Sequence, residues 1–142
     1  MDYLKKTGLV PQDVYDAFNS KDLNHFESIL AHDYFFEKND GRRINKEAFL
    51  GFIKSSWESF PDGTITGIDN VGSGEQMVGE GRFDGTHLGD YLGVPATGKR
   101  VSWYFAEFFK FEANKVKSMK VYSDSVAVVR QIGIIPIGYL TQ

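Results

Sequence analysis

The spacing of apolar residues changes character along this chain, and the change divides it into helical and extended parts. Val14, Tyr15 and Phe18 recur at helical spacing behind Pro11, a residue suited to the first turn of a helix. Asn19-Ser20-Lys21 interrupts that pattern. Asp22 can cap a second helix with the stripe Leu23, Phe26, Ile29 and Leu30. Tyr34 to Glu37 reads as a short strand ended by the turn Asn39-Asp40-Gly41. Asn45 can cap a third helix, where Phe49, Phe52, Ile53, Trp57 and Phe60 form the strongest 3.6-residue repeat, stopped by Pro61-Asp62-Gly63. Strands follow at about 64–71, 75–84, 100–112 and 115–123. Helices first and antiparallel strands afterwards is the order of an α+β fold.

The 142 residues hold no repeat, low-complexity tract or linker, so a single domain spanning 1–142 is expected, with 1–10 a loose lead-in. A chain of this length buries enough surface to fold without staples. It has no cysteine, which removes disulfides, thiolate nucleophiles and Cys-based metal sites and fits a cytoplasmic protein. The start, Met1 to Thr7, has no apolar run behind its charges and does not read as a signal peptide. The longest apolar stretch, Ile132 to Leu140, is broken by Gly133, Pro136 and Gly138, so no membrane span is expected. A net charge of −3 argues against a nucleic-acid partner. Twelve Phe and seven Tyr suit an aromatic-lined cavity, although an ordinary core also uses them.

Between the second and third long strands lies Gly85 to Val101, rich in glycine and carrying His87, Asp90 and Pro95. Turn chemistry this dense predicts a long, shaped loop. Gly93 to Lys99 has the spacing of a phosphate-binding loop. Arg100 stands where Ser or Thr would hold magnesium, and a strand rather than a helix follows, so nucleotide binding is not expected.

The same loop carries a family likeness. Thr86-His87-Leu88-Gly89-Asp90 and Gly93-Val94-Pro95-Ala96-Thr97-Gly98-Lys99 resemble the T-H-x-G-[ED] and G-[IV]-P-x-T-G-[KR] patterns of SnoaL-like polyketide cyclases. Phe60-Pro61-Asp62, Phe109-Lys110-Phe111-Glu112 and Arg130-Gln131-Ile132-Gly133 resemble further family segments in the same order, covering most of Val14 to Pro136. The resemblance implies the cone-shaped α+β barrel of the nuclear transport factor two superfamily: three N-terminal helices in the concavity of a curved, mainly antiparallel sheet of four to six strands. It also makes Ser125 to Ile132 a short helix, where pattern alone would allow a strand. It further implies a homodimer formed through sheet faces, an expectation that outward-facing Tyr104 and Phe108 support.

Alternation along 101–112 puts Val101, Trp103, Phe105, Glu107, Phe109 and Phe111 on one side. Glu107 is the sole polar group of that set. A carboxyl among aromatics is desolvated, which raises its pKa and suits acid or base work near neutrality. The alternatives are a pairing with Arg or a backbone donor, or a bulge that turns it outward. In the family this position holds a polar pocket residue. The family's acid/base Asp on the following strand is replaced by Val121 in the triplet Met119-Lys120-Val121, whereas a second family Asp is matched by Asp124. Asp124 can equally be the cap of the last helix. His87 with Asp90 could form a second proton relay, or His87 could hold its loop by bonding to backbone. His25 and His32 lack ligand spacing, and no metal site is expected.

The resemblance thus implies a cofactor-independent isomerase or cyclase of secondary metabolism, acting on an apolar polyketide- or terpenoid-like molecule. Its catalytic groups would be Glu107, His87, Asp90 and Asp124. Its substrate-binding walls would be Tyr15, Phe18, Phe52, Trp57, Trp103, Phe105, Met119 and Val121. The competing readings are a non-catalytic binder of a hydrophobic small molecule and a dimerisation module with a vestigial pocket.

Overall fold

The computed structural model describes residues 8–133. Met1 to Thr7, most of the expected lead-in, and most of the apolar stretch 132–140 lie outside the described residues. Helix α1 spans Pro11–Asn19, α2 Leu23–Ser28, α3 Lys46–Ser59 and α4 Ser125–Gln131. The strands are β1 Leu30–Glu37, β2 Arg43–Asn45, β3 Thr64–Ser73, β4 Gln76–Thr86, β5 Arg100–Glu112 and β6 Lys115–Ser123.

The helix starts follow the local chemistry of their sequences. Pro11 opens α1, and the Asp13 carboxylate accepts from the Val10 amide at 2.8 Å. Asp22 accepts from the His25 amide, Asn45 from that of Ala48 and Asp124 from that of Ala127, at 3.1, 2.9 and 3.0 Å. Each side chain satisfies an amide that the helix itself leaves unpaired. The second helix ends earlier than its apolar stripe suggests. Leu30 leaves it to pair with Val116 of β6, because a six-residue helix gains less there than an added sheet strand. The return strand β2 is a departure from the sequence reading: after the Asn39-Asp40-Gly41 turn, three residues pair with Phe35–Glu37. Its one apolar residue, Ile44, gave no alternation to read.

The six strands form one sheet in the order β2-β1-β6-β5-β4-β3. β3 to β6 are an antiparallel meander, and β1 joins β6 in parallel. This is the curled, mainly antiparallel α+β architecture expected. The core lies between the sheet's inner face and the helices: Val14, Tyr15 and Phe18 of α1 and Phe49 and Ile53 of α3 are buried with Phe83, Phe105, Phe109 and Met119 of the sheet. The alternation along β5 holds without a slip, with Phe105, Glu107, Phe109 and Phe111 buried and Tyr104, Phe108, Lys110 and Glu112 exposed.

The loop from 87 to 99 is docked on the end of α3 rather than free. The amides of Leu88 and Gly89 both donate to the Ser59 carbonyl at 3.0 and 3.1 Å, and the Ser59 hydroxyl donates to the Asp90 carbonyl. Asp62 accepts from the Thr86 amide and hydroxyl, both at 2.7 Å, and from Arg100 at 2.9 Å. These bonds, Thr86's first and Arg100's charge after them, hold the Asp62 carboxyl below its ordinary range. Gly89 passes so close to α3 that a Cβ there would collide with the Glu58 carbonyl oxygen. Neither backbone can yield without breaking the dock. Gly89→Ala is expected to cost about 2–3 kcal/mol of stability in urea denaturation. A variant as stable as the parent would show that the dock contributes nothing.

Candidate active site

An apolar cavity of about 200 Å³ opens between α1, α3, α4 and the inner sheet face. Its walls include Tyr15 and Phe18 from α1, Phe49 and Ile53 from α3, and Phe83, Trp103 and Phe105 from the sheet. Met119 and Val121 of β6 complete one side, while Val128 and Ser125 of α4 close over it. Aromatic contacts fix this wall. Phe83 stacks on Trp103 at 4.3 Å between centroids, and Phe60 meets Phe83 edge-on at 5.4 Å.

Among the described residues Glu107 is the one carboxyl on that wall, and it is 7% exposed. It stands directly opposite Gly79 of β4 and Val121 of β6, so neither directly opposed residue offers it a polar side chain. Its Oε2 has no hydrogen-bond partner among the described residues. Burial pushes its pKa from 4.5 up to about 8, and no cation opposes that shift. The alternatives of an Arg partner or an outward bulge therefore fall away.

Tyr15 lies across this carboxyl. Its ring meets Phe105 at 6.0 Å and Phe109 at 6.2 Å, the two residues that flank Glu107 on the same face of β5. Its hydroxyl is buried and unpartnered among the described residues. Burial, and then the charge of Glu107, raise its pKa, so it keeps its proton. Tyr34 of β1 has the same character: its hydroxyl has no partner among the described residues, and burial and then Glu107's charge raise its pKa well above the usual phenol value. Sequence reading placed Tyr34 only as a strand residue. The signal that could have found it is a phenol on the inward face of a strand in the same sheet as the inward Glu107.

Several expected site residues lie elsewhere. His87 is fully buried, but it is not part of the cavity wall. Its Nδ1 accepts from the Thr97 amide at 3.2 Å and lies 2.9 Å from the Thr97 hydroxyl, within its own loop. An Nδ1 that accepts leaves the proton on Nε2, which has no hydrogen-bond partner among the described residues. The relay with Asp90 is therefore not assembled. Asp90 is exposed, and its backbone carbonyl is what the fold uses. Asp124 is exposed too and spends its carboxylate on capping α4. Trp57 packs on Phe18 at 5.9 Å and is not part of the cavity wall. Phe52 does reach the cavity, but as a rim residue, 54% exposed. Tyr15, Phe18, Trp103, Phe105, Met119 and Val121 line it as expected. Among the described residues no cluster of His, Asp and Glu could hold a metal ion, and no helix is long and apolar enough to cross a membrane.

A helix-filled cone of sheet around one apolar cavity defines the class of protein. The profile of the SnoaL-like polyketide cyclases matches residues 9–132, and the chain belongs to that family. Similar solved structures agree in fold. AclR of Streptomyces galilaeus, provisionally described as a hydroxylase, is 21% identical over 88% of this chain and 93% of its own, with a TM-score of 0.81. IdmH of Streptomyces antibioticus, provisionally described as a polyketide cyclase, is 26% identical over 89% of this chain and 100% of its own, with a TM-score of 0.76. TsrD of Streptomyces laurentii is 25% identical over 87% and 92%, also at 0.76. No curated protein matches the sequence.

Proposed function

We propose that this chain is a cofactor-independent cyclase or isomerase that moves a proton on an apolar, polyketide-like carbonyl compound. The observation that carries the reading is Glu107, a carboxyl without a cation at the wall of an apolar cavity. With a pKa of about 8, roughly a tenth of it is ionised at pH 7. That fraction is a much stronger base than a solvated carboxylate. It takes a proton from a carbon beside the carbonyl, and the resulting acid returns a proton to the carbon or oxygen that bears it in the product. One group thus serves both steps. The chain needs this economy, since Val121 faces Glu107 where a second carboxylate would stand.

Deuterium exchange tests the reading without knowledge of the natural substrate. A bicyclic ketone such as 2-tetralone, held in D₂O with the protein, should exchange its C1 protons faster than in buffer. The Glu107→Gln variant should lose that acceleration. The loss of the carboxylate at Val121 favours a second reading, a binding protein that retains the cavity. Exchange no faster than in buffer, with 2-tetralone bound, would select it.

The outer sheet face supports a homodimer. Tyr104 of β5 is 61% exposed and Phe108 46%, with Tyr122 of β6 packed edge-on against Phe108. Exposed aromatics grouped on a sheet suit a partner surface. Light scattering at micromolar concentration is expected to give twice the chain mass, and Tyr104→Lys with Phe108→Lys to give a monomer. A monomeric parent would remove the proposal.

A further inference from the structure

We infer that the Tyr15 hydroxyl is the donor that receives the ligand's carbonyl oxygen, so that the cavity selects ketones whose enolisable carbon lies beside that oxygen. This rests on the reading of Glu107 as the proton-moving group and adds the group that recognises oxygen. Three observations carry it. The Tyr15 side chain is 1% exposed, lines the cavity and has no hydrogen-bond partner among the described residues. A buried donor left unmade is costly in a folded protein, and such orphans point to a missing partner. The second observation is position. The ring spans Phe105 and Phe109, the same-face neighbours of Glu107, which places the phenol across the carboxyl. The third is Gly79, directly opposite Glu107 on β4. A Cβ at Gly79 would collide with the Tyr15 hydroxyl, so the absence of a side chain is what lets the hydroxyl come down over the strand.

Side chains of directly opposed strand residues start about 4.5–5.5 Å apart. A hydroxyl over Gly79 and the carboxyl of Glu107 therefore rise from neighbouring positions on one face of the sheet, where one ligand can touch both. The oxygen of a ketone can accept from Tyr15 while the adjacent C–H faces Glu107. As the carboxylate removes that proton, the C–H electron pair becomes the enolate C=C bond and the C=O pair moves to oxygen. The charge then develops at the atom Tyr15 already touches. The proton passes to Glu107, which returns a proton in the second step; in D₂O the carboxyl exchanges with solvent between the two steps, so the carbon gains deuterium and no other reactant is needed. The phenol keeps its own proton because burial and Glu107's charge both resist its ionisation.

The test compares 2-tetralone with tetralin, the same skeleton without oxygen, by equilibrium binding. The parent should prefer the ketone, and Tyr15→Phe should lower its affinity for 2-tetralone by about 5–10-fold while leaving tetralin unchanged. The carbonyl stretch of bound 2-tetralone should shift to lower frequency in the parent and return toward its apolar-solvent value in Tyr15→Phe. Glu107→Gln should keep both the preference and the shift while losing exchange, which separates failure of the proton-transfer reading from failure of this one. The inference is overturned if Tyr15→Phe retains the shift and the preference, if the parent binds tetralin as tightly as the ketone, or if neither compound binds at millimolar concentration.

Discussion

Replacing Glu107 by Gln should slow C1 exchange of 2-tetralone by roughly 10²–10⁴-fold with little change in its affinity. Gln keeps the shape and a hydrogen-bonding head but has no proton-accepting state. The size of the effect follows from what stands around the carboxyl. Tyr15 is the titratable neighbour on the wall from α1, Tyr34 lies within range from β1, and both are held in the protonated form. Val121 and Gly79, its partners across the sheet, can carry no proton. His87 is tied to Thr97 away from the cavity and cannot take over. The parent's exchange rate should also rise with pH and level off above about 8, because the ionised carboxylate is the working form. A Glu107→Gln protein that exchanges as fast as the parent, or a parent profile flat from pH 6 to 9, would end the acid/base reading.

The fold was legible in the sequence because its signals are local. Cap residues Asp22, Asn45 and Asp124 stand at the helix starts, and the two-residue alternation along β5 survives intact into the sheet. What escaped was governed by pairing at a distance. β2 exists because β1 offers it an edge, and Leu30 joins the sheet because Val116 waits beside it. The candidate site divides along the same line. Glu107 could be found by alternation alone, since a strand's period fixes which side a residue faces. His87, Asp90 and Asp124 were attractive for their chemistry, yet chemistry does not say where a loop points. Thr86, Asp62, Ser59 and Gly89 bind one another, so the segments that most resemble the family are the ones that staple the long loop to α3. The resemblance marked the scaffold, and the cavity wall had to be read from the sheet. Tyr15 illustrates the remainder. Its helical face predicted burial, but its role over Glu107 depends on a glycine 64 positions along the chain, a relation no local pattern contains.

Glu107 should also make the protein less stable as pH rises, in a window where ordinary carboxylates have finished titrating. Its pKa is raised on folding, from 4.5 to about 8. Below pH 4.5 both folded and unfolded chains hold the proton, so stability does not change with pH through this group and its contribution is fully present. Between 4.5 and 8 the unfolded chain releases the proton while the folded one keeps it, so protons bound in the unfolded state are fewer and stability falls with pH. Above 8 both forms are ionised and the loss is complete. A shift of this size corresponds to a loss on the order of 3–5 kcal/mol across the window. The surface acids Glu37 and Asp62 contribute in the opposite sense, since their pKa values are lowered, Glu37's by the Lys120 and then the Arg43 hydrogen bond. Their gain is complete above their unfolded values, near pH 4–5, and it is common to parent and variant. The difference between parent and Glu107→Gln therefore isolates the buried carboxyl. Urea denaturation at pH 5 and pH 8.5 is expected to show the parent falling relative to Glu107→Gln by that amount, with the variant the more stable of the two at the higher pH. Parallel pH profiles for the two proteins would mean that Glu107 is solvated in the folded state, and the cavity could not then supply a base of the required strength.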